Sequence, residues 1–270
     1  IYWPERAAML DVLERETLQG ELSTLPAADT VLHIDLAGRN PDDGMTQVPY
    51  AKGSALLRLM EETLGRERFD AYLRSYFDRH AFQSITTEVF LEDVDEQLLK
   101  GDAALAATLR LDEWVYKPGL PDNAPVPHSA ALERVERQAQ SFAGGSPAAT
   151  LASASAAWST QEWLHFLGTL PPTLSPAQVV DLDKMFGLTG RGNSEVLFAW
   201  FRIAIRHRYQ PAMPALERFL TSQGRRKFLR PLYEDLMGTD WGKAEARRIY
   251  AAARPLYHAV SVGTLDTVVK

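Results

Sequence analysis

The sequence contains no cysteine in its 270 residues. This absence excludes disulfide bonds, cysteine nucleophiles, iron–sulfur clusters and zinc sites built from thiolates. It leaves the compartment open between cytoplasmic and exported, because many exported proteins also lack cysteine. Long apolar runs are missing too. No stretch reaches the roughly 18 residues that a membrane-spanning helix requires, so we expect no transmembrane segment and no membrane partner.

Several catalytic signatures are also absent. The sequence has no G-x-S-x-G nucleophile turn, no phosphate-binding P-loop and no G-x-G-x-x-G dinucleotide motif. No histidine is followed by glutamate, and no two histidines have the three-residue gap that places metal ligands one helical turn apart. The six histidines are His33, His80, His128, His165, His207 and His258. We therefore predict no metal site in this chain.

The charge that is present is unevenly distributed. Residues 1–127 carry 12 Lys or Arg and 23 Asp or Glu, whereas residues 128–270 carry 17 and 12. The change coincides with the segment KPGLPDNAPVP at 117–127, in which four prolines forbid a helix and favour extended backbone. We predict a first domain over 1–117, a Pro-rich linker over 118–127 and a second domain over 128–270.

Apolar residues at helical spacing predict a mostly α-helical protein. Helices are expected over 51–64, 67–79 and 87–100, and then over 130–143, 159–170, 175–186, 194–205, 211–222, 225–237 and 243–254. Two capping boxes, at 159–162 and 175–178, mark helix starts in the second half. The stretch 30–36 is the strongest strand-like pattern. Short helices with tight turns favour a helical solenoid or an irregular bundle for the second half.

Four strings together resemble a known family. They are VPYAKG at 48–53, FQSITT at 82–87, WVYKPGLP at 114–121 and QGRRKFLRPLY at 223–233. Their order and spacing resemble the gluzincin zinc aminopeptidases, in the branch of leukotriene hydrolase, aminopeptidase B and the cold-active bacterial aminopeptidases. The resemblance covers essentially the whole chain. It implies the second half of a thermolysin-like catalytic domain, followed by a C-terminal armadillo- or HEAT-like helical domain.

The resemblance implies zinc as the cofactor, but the chain departs from the family at the metal. Family members bind zinc through H-E-x-x-H and a third Glu ligand, and neither is found here. The chain opens with IYWPER, without an initiator methionine or a signal peptide. We therefore expect a piece of a longer metalloprotease that lacks catalysis by itself and takes its zinc ligands from the N-terminal half of the same enzyme.

The resemblance also assigns roles to four residues. Tyr50 corresponds to the tyrosine that donates a hydrogen bond to the oxyanion of the tetrahedral intermediate. Arg225 and Lys227 correspond to the pair that holds the carboxylate of a short peptide substrate. Asp42 corresponds to a substrate-binding Asp. Met45 stands where leukotriene hydrolase has a second tyrosine, which favours peptide hydrolysis over hydrolysis of a lipid epoxide.

The residues alone leave other interpretations open. Tyr50 could pack at a helix start, Arg225 and Lys227 could belong to a solvated basic turn, and Asp42 could form a turn. The alternative function is a non-catalytic helical scaffold or binding module. The chain is net acidic and lacks a basic motif interleaved with aromatic residues, so no nucleic-acid partner is expected. Residues 1–110 are expected to expose apolar surface and, as a result, to self-associate or to be poorly ordered.

Overall fold

The structure is a computed structural model that describes residues 3–39, 44 and 46–270. Over these residues it is mostly helical and contains no β-strand, which confirms the expected fold class. The chain divides into two compact units, residues 1–129 and residues 130–270. We call them the first unit and the second unit.

The first unit contains six α-helices among its described residues. They are α1 (Pro4–Leu22), α2 (Val48–Leu64), α3 (Arg66–Arg79), α4 (Thr87–Asp93), α5 (Ala103–Leu109) and α6 (Leu111–Tyr116). Helix α2 contacts α1, α3 and α5 and is therefore the central helix of this unit. It ends at Gly65, whose φ of 78° is a conformation that glycine adopts without steric cost.

The strand expected over 30–36 does not form. The backbone N–H groups of Leu32 and His33 both donate to the single carbonyl of Val115, at 3.1 and 3.0 Å. A strand needs a partner that offers a ladder of carbonyls, and no other described segment offers one here. The alternating apolar pattern here belongs to an irregular segment that rests on the end of α6.

The helix expected over 87–100 forms in two parts. Helix α4 has Thr86 as its N-cap, and the chain continues as a π-helix over Val94–Leu99 before Lys100 turns into the left-handed region. A π-helix inserts an extra residue into the turn, which the spacing of apolar residues does not reveal.

The second unit contains nine α-helices. They are α7 (Ala130–Ala143), α8 (Ala152–Ser155), α9 (Thr160–Thr169), α10 (Pro176–Phe186), α11 (Ser194–Arg206), α12 (Met213–Ser222), α13 (Arg226–Met237), α14 (Gly242–Ala253) and α15 (Ala259–Val268). Both predicted capping boxes are present, at Ser159 with Glu162 and at Ser175 with Gln178. The predicted set did not include α1, α5, α6, α8 and α15.

The helices of the second unit alternate between two layers. Helices α7, α9, α11, α13 and α15 contact one another in series, and α12 contacts α14 on the other side. One apolar cluster runs through this array from Val135 to Leu265, with Trp200 and Phe201 fully buried inside it. Phe228 anchors the start of α13 in the cluster. This anchoring positions the turn at 223–227, which carries Arg225 and Lys227.

The Pro-rich segment packs against the rest of the first unit. Gly119 N–H donates to Thr30 Oγ1 at 2.9 Å, and Arg15 Nη1 donates to the carbonyl of Pro125 at 2.8 Å. Trp114 Nε1 donates to Asn123 Oδ1 at 3.1 Å. The division of the chain into 1–117, 118–127 and 128–270 stays a prediction. The contacts show that most of the segment 117–127 is held by neighbouring residues.

Candidate functional site

Tyr50 lies in the first turn of α2 and faces outward. Its neighbours Val48 and Ala51 are buried against Leu18 on α1, whereas Tyr50 is 57% exposed. The backbone N–H of Gln47, the N-cap of α2, donates to Glu21 at 2.8 Å and ties the start of α2 to the end of α1. The tyrosine therefore projects into solvent from a turn that Val48 and Ala51 anchor against α1.

Lys52, to which no role was assigned from the sequence, contacts the inner side of this turn. Its side chain is fully buried, and Nζ donates to the carbonyls of Thr30 at 3.0 Å and Lys117 at 2.9 Å. Burial lowers the pKa of Lys52 to about 8. The ammonium thus joins three segments two residues away from Tyr50, and we interpret it as the group that fixes the Tyr50 turn.

A signal for Lys52 was available in the spacing of the residues. Val48, Lys52, Leu56 and Met60 are four residues apart and all lie on the buried face of α2. A lysine at such a position must find acceptors inside the protein, because an unpaired buried charge is strongly unfavourable. The pattern predicts burial but not which carbonyls accept.

An open cavity of about 740 Å³ adjoins Tyr50. Its lining is mostly apolar and aromatic and includes Leu57, Tyr76 and Phe77. Two charged residues at its edge already have partners: Arg58 pairs with Asp11 at 2.6 Å, and Glu61 pairs with Arg66 at 3.0 Å. The hydroxyl of Tyr50 therefore adds a hydrogen-bond donor to a surface suited to apolar groups.

A buried polar cluster stands behind this cavity. Asp93 accepts hydrogen bonds from Tyr72 at 2.9 Å and from Arg79 at 2.8 and 2.7 Å, and lies 3.0 Å from His80 Nε2. The bond from Arg79 is the main cause that lowers the pKa of Asp93 to about 2. Burial, followed by the bond to Asp93, raises the pKa of Tyr72 well above its usual range. The cluster joins α3 to α4 and fixes one wall of the cavity.

Asp42 lies outside the described residues, so its predicted role in substrate binding stays a prediction. The other two predicted substrate residues lie in the second unit. Arg225 is the N-cap of α13, and Lys227 follows in the first turn. Tyr50 and the Arg225–Lys227 pair thus belong to different units.

Arg225 and Lys227 share one aromatic ring. The guanidinium carbon of Arg225 lies 5.9 Å from the ring centroid of Phe228, and Lys227 Nζ lies 4.9 Å from it. Phe228 is buried, so this ring is a fixed base for two exposed cations. Arg225 forms no ion pair with another described residue of the second unit, whereas Lys227 Nζ pairs with Glu195 Oε1 at 2.6 Å.

The turn at 223–227 is attached to its neighbours. Gln223 Nε2 donates to Ser194 Oγ at 3.4 Å, and Ser261 Oγ donates to the carbonyl of Gly224 at 3.1 Å. Helices α11 and α15 therefore both hold the turn. The arrangement presents the exposed guanidinium of Arg225 at a helix N-terminus, where an anion is favoured by the helix dipole and by a planar bidentate donor.

The residues present do not fit a zinc site. Zinc needs at least three His, Asp, Glu or Cys ligands that converge, and no such group occurs among the described residues.

No helix in the described part of the chain is long and apolar enough to cross a membrane.

Comparisons with known proteins cover both units. Residues 22–114 match the model of the peptidase family M1 domain, and residues 158–269 match that of the leukotriene A4 hydrolase C-terminal domain. Leucine aminopeptidase 2 of Ajellomyces capsulatus is 30% identical over 250 residues, which are 88% of this chain and 39% of that protein. Aminopeptidase B of Mus musculus is 28% identical over 243 residues, or 86% of this chain and 37% of that protein.

The fold is shared with a solved structure. The yeast LTA4 hydrolase in complex with bestatin superposes with a TM-score of 0.88 at 24% identity, over 98% of this chain and 46% of that chain. The chain therefore spans less than half the length of the relatives that it matches.

Proposed function

We propose that the chain, which matches models of the peptidase family M1 domain and of the leukotriene A4 hydrolase C-terminal domain, forms the C-terminal part of a zinc metallo-aminopeptidase that removes N-terminal residues from short peptides. The observation that carries the proposal is the exposure of Tyr50. A tyrosine that served only to pack a helix start would be buried, whereas this side chain projects beside a cavity from a turn fixed by Lys52 and Glu21. Aminopeptidases among the relatives add support.

In this proposal the Tyr50 hydroxyl stabilises the oxyanion of the tetrahedral intermediate. A phenol is protonated at neutral pH and can donate to the developing charge on the scissile carbonyl oxygen. Because the turn that carries Tyr50 is held in place, the hydroxyl needs to move little as the negative charge develops. Removing one such donor typically lowers the rate by about 10²–10³.

The substrate carboxylate is assigned to the second unit. Arg225 offers a planar fork that no described residue of its unit pairs with, and Lys227 adds a second positive charge over the same ring. Asp42 is proposed to lie near the substrate as well. A contact with the free C-terminal carboxylate would favour short peptides as substrates.

Zinc would polarise the carbonyl and activate water in such an enzyme. The described residues provide no ligand set for it, so we propose that the ligands come from the N-terminal half of the same enzyme and that the 270-residue chain is inactive by itself. Nucleic acid and membrane are not proposed as partners.

Two measurements test the proposal. The purified 270-residue chain is expected to hold far less than one zinc per chain by elemental analysis and to hydrolyse no aminoacyl coumarin amide. In a polypeptide that also carries the zinc-binding half, Tyr50→Phe is expected to lower kcat by about 10²–10³ with a small change in KM. One zinc per 270-residue chain, or a Tyr50→Phe enzyme with full activity, would overturn it.

A further inference from the structure

The pairing of Lys227 with Glu195 distinguishes the two cations of the proposed carboxylate clamp. Lys227 Nζ lies 2.6 Å from Glu195 Oε1, although the two residues come from different helices, α13 and α11. Arg225, on the same turn and over the same ring, pairs with no other described residue of its unit. One cation is therefore open to a ligand, and the other already holds a carboxylate supplied by the protein.

Glu195 is held in the position that this pairing requires. It lies in the first turn of α11, where a carboxylate is favoured by the helix dipole, and its own backbone N–H donates to the capping side chain of Asn193 at 2.9 Å. The preceding residue, Ser194, accepts a hydrogen bond from Gln223. The start of α11 thus contacts the 223–227 turn at two successive residues, which keeps the Glu195 carboxylate beside Lys227.

The pair is accessible to solvent. The side chain of Lys227 is 47% exposed and that of Glu195 is 37% exposed. Ion pairs with this exposure contribute little net free energy, because water screens both charges and the side chains lose rotamer freedom. A ligand carboxylate that approaches Arg225 can therefore displace Glu195 from Lys227, but it must compete with Glu195 to do so.

From this geometry we propose that Glu195 is an internal competitor for the carboxylate site. It occupies Lys227 in the place of the ligand's carboxylate, makes Arg225 the primary contact and lowers the affinity of the site for carboxylates. The inference rests on the proposed function of Arg225 and Lys227 as a carboxylate clamp. It adds a residue that limits how tightly short peptides and their products are held.

The test uses the 270-residue chain and trialanine as the probe, with trialanine amide as its uncharged counterpart. Binding is followed by NMR through the backbone amide of Phe228, at constant ionic strength. Glu195→Gln keeps the shape of the side chain and removes its charge. The matched control is Glu234→Gln, which removes a carboxylate paired with Arg230 at 2.7 Å on the same helix α13.

We expect Glu195→Gln to bind trialanine about two- to fivefold more tightly than the unmodified chain, in line with the small free energy of an exposed pair. Glu234→Gln should leave the affinity unchanged. The gain should vanish when Lys227 is replaced by Met, because the competition acts through that side chain. A gain of the same size in the Lys227→Met background, or a loss of affinity in Glu195→Gln, would overturn the inference.

The experiment also separates this inference from the proposal beneath it. Carboxylate-dependent binding that is lost in Arg225→Met, together with an unchanged affinity in Glu195→Gln, would leave the clamp in place and remove the competitor. Equal affinity for trialanine and its amide in all variants would remove both.

Discussion

Residues 130–270 bury their apolar side chains in one continuous cluster, whereas the described part of the first unit divides them among separate clusters. One of these surrounds Trp114 and another surrounds Leu18. The first unit also leaves large apolar side chains in solvent, among them Phe77 at 68% exposed. The exposed apolar surface expected for 1–110 is therefore present at these positions, and self-association stays a prediction.

The difference follows from how many helix faces have a neighbour. In the second unit each helix of the series α7, α9, α11, α13 and α15 contacts the next, so most of its large apolar side chains are covered. In the first unit α2 contacts three helices, but the outer faces of α3 and α4 border the open cavity. An uncovered apolar face of this kind marks an interaction surface, and the zinc-binding half is the partner that we propose for it.

The largest expected effect sets the buried core of one unit against the exposed surface of the other. Phe201→Ala should destabilise the second unit by about 3–5 kcal/mol, because its fully buried ring packs against Phe219. Phe77→Ala should change the stability of the first unit by about 0.5 kcal/mol or less. Urea unfolding with hydrogen exchange measures both. Equal losses of stability in the two variants would show that Phe77 is packed in solution. The two units would then not differ in the way described above.

A smaller effect is expected at the buried ammonium of the first unit. Lys52→Met should cost roughly 2–4 kcal/mol, because the buried carbonyl of Thr30 and the partly buried carbonyl of Lys117 lose their donor. The loss should appear as faster hydrogen exchange in α2 and the segment around Thr30, with no change in the second unit. Lys117→Met is the control, since it removes an exposed side chain and keeps the carbonyl that Lys52 binds. Equal exchange in both variants would show that Lys52 is not an anchor.

Acid should affect the two units differently. The pKa of Asp93 is about 2 in the folded protein and about 3.9 in an unfolded chain. Its contribution of about 2 kcal/mol is therefore complete above roughly pH 4 and is lost as the pH falls toward 2. In the second unit Asp266 also has a pKa of about 2, caused first by its hydrogen bond from Arg254, but its side chain is 44% exposed. Solvent screening should make that loss smaller.

Unfolding at pH 7, 4, 3 and 2 measures this contrast. Asp93→Asn should flatten the acid response of the first unit, and Asp266→Asn should change that of the second unit less. A larger change for Asp266→Asn would reverse the comparison.

The smallest expected effect compares helix caps. Ser159→Ala should destabilise the second unit by about 1 kcal/mol, because it removes one half of a reciprocal capping box. Thr86→Ala should cost the first unit less, since the residue three positions after Thr86 is Val89, whose side chain cannot return a hydrogen bond to complete a capping box. Thermal unfolding of both variants measures the difference, and a larger loss for Thr86→Ala would contradict it.

Local signals predicted most of the helices of the second unit. Ser159, Ser175 and Asn193 each accept a hydrogen bond from the backbone two or three residues ahead, and Gly187 adopts the left-handed conformation that ends α10. These interactions join residues only a few positions apart, so they can be predicted from the sequence alone. The extent of Ala130–Ala143 was predicted correctly, since two glycines follow its last residue.

Other elements could not be predicted from interactions between residues that are close in the sequence. The alternating pattern at 30–36 resembles a strand, but whether a strand forms depends on a neighbouring chain that offers carbonyls. Helix α1 buries only Met9 and Leu18 completely, so its apolar pattern is weak. In both cases the deciding contact comes from a distant part of the chain.

The sequence by itself determined the helical class, most helix limits in the second unit and the resemblance that selected Tyr50, Arg225 and Lys227. Each depends on residue identity at short spacing. Only the tertiary structure decided that Tyr50 is exposed, that Lys52 fixes its turn and that Glu195 holds Lys227 while Arg225 stays open. The partners in these contacts are 22 to 65 residues apart in the chain. Such contacts depend on how helices pack, which residue spacing does not specify.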